Sequence, residues 1–304
     1  MAEVLQAVLK ITLVLFLLGN LAGVGLELAL RDAMGALRDV RFLVLTVVWG
    51  FVLCPAFAYL LTRIIPLERP YAVGLLLLGM APCAPFLPIV VKKARGDLRY
   101  IAIMMLLTAV GTVGFMPLAV PVMIKGMTAN TWAIAKPLLL FVLAPLIVGL
   151  AIRQWAEPLA SRMYPMVKKT TDSATAVMLV TMLLIYGKGF LNLVGTYALA
   201  TQVLFFSTMG LGAYWLGFGL KREERIVLSI GICTRNIGAA FAPLLTMEVD
   251  PRATVMVAVA VPITVLLSLV LARWFAGRGA LGAVTADLTV QKSSVASGRT
   301  NNRP

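Results

Sequence analysis

A succession of long apolar runs limits this chain more than any other feature. A helix needs about 20 apolar residues to cross the hydrocarbon core of a bilayer. Nine runs of roughly that length follow one another: Val4–Leu28, Phe42–Leu61, Ala72–Val91, Tyr100–Ile124, Trp132–Ile152, Ser173–Val194, Ala198–Leu220, Ile226–Leu245 and Ala253–Trp274. The segments between them carry turn and charge signals; only the break at Gly195–Tyr197 rests on run length alone. No long stretch alternates polar and apolar residues as a barrel strand would. Apolar residues make up 61% of the chain and charged residues 13%, against about 45–50% and about 25% in soluble domains. Such a chain cannot cover itself with polar surface in water. The expectation is an all-α integral membrane fold of about nine transmembrane helices.

Charge placement orients it. Nine spans put the termini on opposite sides, and cytoplasmic segments are richer in Lys and Arg. With the N-terminus outside, 19 of the 27 Lys and Arg fall in cytoplasmic segments and span ends, and six on the outer side. Lys10 and Arg235 lie deeper in spans. This predicts a multi-pass protein of the cell's inner membrane with a cytoplasmic C-terminus. It also explains the net charge of +14, because these cations sit over anionic headgroups. The lipid bilayer is the partner, and a nucleic acid is not needed. The first run continues to Leu28 and lacks a basic leader, so cleavage as a signal peptide is not expected. From Gly277 the chain turns to Gly, Ser, Thr, Asn and Arg. Residues 1–276 therefore read as the membrane domain and 277–304 as a disordered cytoplasmic tail.

Several chemistries drop out. The chain has no His, which removes His relays, His metal sites and Ser-His-Asp triads. Three cysteines inside apolar runs imply no disulfide framework. No Gly-x-x-x-x-Gly-Lys-Ser/Thr loop occurs, so nothing here drives transport with ATP through such a loop. No paired intramembrane carboxylates stand out. An enzyme is not expected, and neither a cofactor nor a metal site is called for.

Two spans do not read as plain helices. The third contains Pro82, Pro85 and Pro88. Each proline removes a backbone donor and clashes with the preceding turn, so two half-helices with an unwound middle are expected. Non-helical backbone at this depth persists only inside protein or along a wet cavity. The eighth span contains Cys233-Thr234-Arg235-Asn236 and then Pro243. Arg235 stands about ten residues from either end of its run, too deep to reach the headgroups easily. A central Arg costs at least about 2.5–3.5 kcal/mol on insertion scales, so its donors must meet carbonyls, water or an anion. One interrupted span in each half of the chain points to a midplane binding site in an inverted-repeat transporter. Two kinked helices without a site would also explain the prolines, but not Arg235.

At these segments the chain resembles the bile acid:sodium symporter family, in the superfamily that also holds arsenite carriers. The likeness runs from about residue 20 to 275. It is carried by Gly23-Val24-Gly25-Leu26-Glu27-Leu28, Cys54-Pro55, Pro82 with Ala94-Arg95-Gly96-Asp97, Pro117, and Arg235-Asn236-Ile237-Gly238-Ala239-Ala240. The resemblance implies a core domain with two discontinuous helices that cross at the midplane, beside a panel domain. It also implies a secondary transporter that moves an organic anion by alternating access. The departures from the family pattern bear on coupling. Sodium-coupled members carry Ser-Asn at the first crossing, where this chain has Leu87 and Pro88; they carry Glu and Gln at the second, where it has Gly231 and Arg235. A carboxylate has gone and a cation has been added, so sodium is not expected to bind there.

The candidate crossing and substrate residues are Pro82, Cys83, Pro85, Pro88, Cys233, Thr234, Arg235 and Asn236, with Lys92 and Lys93 at the cytoplasmic mouth. Arg235 either satisfies half-helix carbonyls as a fixed charge or faces an anionic substrate. Cys83 and Cys233 would come together, as two small buried hydrophobes or as ligands for a soft ion. An arsenite carrier and a non-transporting receptor or scaffold are the alternative functions. Residue types alone specify neither the anion nor the oligomeric state.

Overall fold

The computed structural model describes residues 2–28, 35–124, 130–193, 195–246 and 249–298, apart from the side chains of 2, 188–192 and 278–298. All regular elements among the described residues are helical. They are α1 (Ala2–Glu27), α2 (Val40–Ile64), α3 (Arg69–Gly79), α4 (Leu87–Ala94), α5 (Arg99–Met123), α6 (Thr131–Trp155), α7 (Glu157–Leu193), α8 (Ala198–Trp215), α9 (Arg222–Cys233), α10 (Ile237–Phe241) and α11 (Pro251–Gly298). Six of these, α1, α2, α5, α6, α7 and α11, are long and apolar enough to cross a bilayer, among the described residues.

The other three apolar runs end differently, and the residues explain why. Ala198–Leu220 gives the 18-residue α8. Ala72–Val91 is divided between α3 and α4, and Ile226–Leu245 between α9, the five-residue α10 and a 3₁₀ turn at Pro243–Leu245. At 1.5 Å per residue an 11- or 12-residue half-helix is about 17 Å long, roughly half of the hydrocarbon thickness. The breaks fall at Met80–Phe86, with its prolines, and at Thr234–Asn236. α11 continues to Gly298, past Gly277, where composition marks the beginning of the tail. Residues 299–304 of that tail lie outside the described residues.

Two continuous helices carry wide turns. Cys54 N–H bonds Trp49 O, and Ala144 N–H bonds Leu139 O, each five residues back. Both wide turns come just before a proline, Pro55 and Pro145, and extra width is one way a helix absorbs the missing donor. The turn in α2 meets the crossing: a Cβ on Gly50 would lie 3.1 Å from Pro82 Cγ.

α1 packs along α6 and α7. Small residues permit this, as they do between membrane helices generally. A Cβ on Gly25 would stand 2.5 Å from Leu146 O, and one on Gly149 2.5 Å from Ala22 O. Around the break points, α11 packs on α3 and α4, α8 on α9, and α5 on α2 and α9.

Candidate functional site

The two breaks meet, and each supplies what the other lacks. Cys83 N–H donates to Gly231 O (3.1 Å) and Thr234 O (3.0 Å), and Asn236 N–H donates to Ala81 O (2.9 Å). Ala84 N–H donates to Thr234 Oγ1 at 3.2 Å. Pro82 and Arg235 form an antiparallel bridge. These bonds close backbone groups that a bilayer cannot satisfy. Thr234 also donates to Ile230 O (2.9 Å), which fixes its hydroxyl where Ala84 needs an acceptor. Asn236 caps the following helix, its Oδ1 accepting from Ala239 N–H at 3.0 Å. Cys83 has φ = 70°, a left-handed conformation uncommon for a residue with a Cβ.

Arg235 is fully buried. Its Nη2 donates to Cys54 Sγ at 3.0 Å, and its guanidinium carbon lies 4.9 Å from the centre of the Phe205 ring. Nε and Nη1 have no hydrogen-bond partner among the described residues. The guanidinium thus turns to α2 and α8 and makes no bond to a half-helix carbonyl. Sequence reasoning gave Cys54 no role beyond the family likeness, and it passed over Phe205. The pairing with Arg235 spans 181 positions, and nothing local announces it.

Gly231 has a neighbour that the sequence did not suggest. A Cβ there would lie 2.2 Å from Met104 Cε. The thioether, fully buried on α5, fills the space a longer side chain at 231 would need.

A cavity of about 230 Å³ lies between the crossing, α1, α7 and α11. Of the expected residues, Pro85, Pro88, Arg235 and Asn236 border it. Pro82, Cys83, Cys233 and Thr234 build the crossing without lining it; Cys83 borders a small void beside Val24 and Thr108. All three cysteines are free and buried. Lys92 and Lys93 are exposed at the end of α4 and do not border the cavity. The lysine that does is Lys168 of α7, 3.4 Å from Asp172 in an i,i+4 pair. Glu27 of α1 faces it and accepts from the Tyr164 hydroxyl at 3.0 Å. Lys168 stands in a basic stretch that resembles a headgroup anchor in sequence, so only the packing of α1 on α7 singles it out.

The Sodium Bile acid symporter family profile matches residues 12–195. The chain is similar to the probable sodium/metabolite cotransporter BASS3, chloroplastic, of Arabidopsis thaliana, with 23% identity over 76% of this chain and 54% of that protein. It is also similar to the probable sodium/metabolite cotransporter BASS1, chloroplastic, of the same plant, with 25% identity over 52% of this chain and 40% of that protein. The chain spans about half the length of these curated relatives. It belongs to the sodium bile acid symporter family, as a multi-pass membrane protein.

Proposed function

We propose that this member of the sodium bile acid symporter family is a secondary transporter that moves a small organic anion by alternating access, without sodium at its crossing. The relatives' names speak of sodium and a metabolite; the family supports the transport reading, and the residues argue against the ion. The observation that carries the proposal is Arg235, fully buried beside the meeting point of two broken helices, with two of its nitrogens unpartnered among the described residues. A fixed cation at that depth attracts an anion and repels sodium. Leu87, Pro88 and Gly231 supply no side-chain oxygen, and Met104 fills the space at 231.

In this reading the two composite spans, the six long helices and α8 make nine crossings. Residues 1–276 are the transport domain, with the crossing in a core and α1, α6 and α7 on the panel side. Residues 277–304 are a cytoplasmic tail. The N-terminus faces out across the inner membrane, which places the Glu27 end of α1 and the cavity mouth on the cytoplasmic side. The crossing residues from Pro82 to Pro88 and from Cys233 to Asn236 form the hinge and floor of the site. Lys92 and Lys93 are headgroup anchors. Catalysis is not part of the proposal, and no feature of the cavity favours arsenite or a receptor role. The test is uptake of radiolabelled organic anions into proteoliposomes with sodium and proton gradients imposed separately. Uptake that requires sodium would overturn the coupling, and binding without flux would overturn transport.

A further inference from the structure

The cavity has opposite signs at its two ends. Behind the deep end stands the charge of Arg235, which has no acidic partner among the described residues; its buried guanidinium is turned to Cys54 and Phe205, neither of which borders the cavity, so it acts there through its field. Asn236 is only 3% exposed. It borders the cavity, and its Oδ1 is occupied by Ala239 N–H, which leaves the amide nitrogen as its free donor. This end asks for an acceptor. At the mouth the charged side chains are Glu27, Asp172 and Lys168. Lys168 pairs with Asp172, and Glu27 has the uncharged Tyr164 hydroxyl. In a chain with 27 basic and 13 acidic residues, two carboxylates facing one lysine reverse the sign locally. This end asks for a cation. Between the ends the wall is mostly apolar, with Val24, Phe86, Ile89, Val261 and Val265; Asn20, Thr171 and Thr175 also border it and donate to carbonyls of their own helices. The α1 wall runs from Phe16 to Glu27, about 16 Å of helix. A volume of about 230 Å³ falls below the roughly 300–1,000 Å³ of sites for drug-sized ligands, which disfavours a sterol body.

We infer that the substrate is a small carboxylate that also carries an amine. Its carboxylate lies at the Asn236 amide, within the field of the Arg235 charge behind it, its methylene body along the apolar wall, and its ammonium between Glu27 and Asp172. This rests on the carrier reading and amends it in one respect: the substrate keeps the carboxylate but is a zwitterion without net charge.

The full chain in proteoliposomes is offered pentanoate, 5-aminopentanoate and glutarate, which share a chain length and differ at the far end. The expected result is about a tenfold preference for 5-aminopentanoate over pentanoate, equivalent to about 1.4 kcal/mol, with glutarate taken no better than pentanoate. Glu27→Gln and Asp172→Asn should each narrow that ratio. Pentanoate or glutarate taken as well as the amino acid would overturn the inference and leave the carrier reading standing. So would a preference that survives both substitutions. Transport of no carboxylate at all would overturn both. Should Glu27→Gln fail to fold, the ratio in the unmodified protein and in Asp172→Asn still decides.

Discussion

Replacing Arg235 by Gln tests the coupling proposal most directly. The substitution removes a positive charge from a fully buried site, together with the bond to Cys54 Sγ and the contact with the Phe205 ring. Two electrostatic quantities set the scale. A sodium ion about 4 Å from the guanidinium would be repelled by on the order of 4 kcal/mol at an effective dielectric of about 20, roughly a thousandfold in affinity. A substrate carboxylate about 8 Å away would be attracted by about 2 kcal/mol at the same dielectric, roughly thirtyfold. Stability opposes these terms only weakly. The cation–π contact contributes about 2 kcal/mol when desolvated, but two unpartnered nitrogens leave with the charge, and removing an uncompensated buried ion relieves its desolvation cost. The variant should therefore fold and lose function. The expectation is sodium-independent uptake by the unmodified protein, and about thirtyfold weaker apparent affinity in Arg235→Gln. Added sodium does not restore it, because position 231 still lacks a carboxylate and Met104 still occupies that space. The assay is initial-rate uptake in proteoliposomes over a range of sodium concentrations, with thermal unfolding of both proteins in detergent as the control. Sodium-stimulated uptake by the unmodified protein, saturating at millimolar concentration or below, would refute the reasoning; so would sodium stimulation gained by the variant.

Three further outcomes follow from the packing. Gly25→Leu places a side chain against the α6 backbone, where even a Cβ would lie 2.5 Å from Leu146 O; overpacking of this kind costs about 1–3 kcal/mol or more, read as a lowered unfolding temperature and poor recovery of folded protein. Thr234→Val removes the hydroxyl that accepts from Ala84 N–H and strands a buried donor, at about 1–3 kcal/mol; thermal unfolding should report it, while Thr234→Ser retains most of the stability. Outside the spans, the hydrogen bond from Arg99 holds the Asp97 carboxyl below its ordinary range. A depressed folded-state value means that the pair stabilises at and above the ordinary carboxylate pKa, and that this contribution fades as pH falls through the depressed one. Arg99 is 73% exposed, so screening keeps the effect below about 1 kcal/mol; Asp97→Asn should slightly flatten the acid limb of stability against pH, and an unchanged limb would remove the ion pair from the account.

Much of this architecture is written in the order of residues. Runs of apolar side chains near the width of a bilayer require helices, because only internal backbone pairing survives in hydrocarbon. Three prolines within seven residues, at 82, 85 and 88, remove more donors than a helix readily gives up, whereas α5 absorbs Pro117 and Pro121, so the break at Met80–Phe86 is legible from proline density. Arg235, too deep to snorkel, marks the second break, and Leu87, Pro88 and Gly231 offer no side-chain oxygen for sodium. These are local properties: length, donor count and charge.

What the tertiary structure decided concerns partners distant in the chain. Cys54 receives the guanidinium bond because the turn of α2 beside Gly50 approaches the crossing. Met104 occupies the space at Gly231 because α5 packs against α9. Lys168 and Glu27, rather than Lys92 and Lys93, stand at the cavity because glycines let α1 lie close along α6 and α7. Charge and hydropathy place a residue at a depth in the membrane, but which side chain meets which at that depth depends on helix contacts far apart in sequence, and side-chain chemistry alone does not encode them.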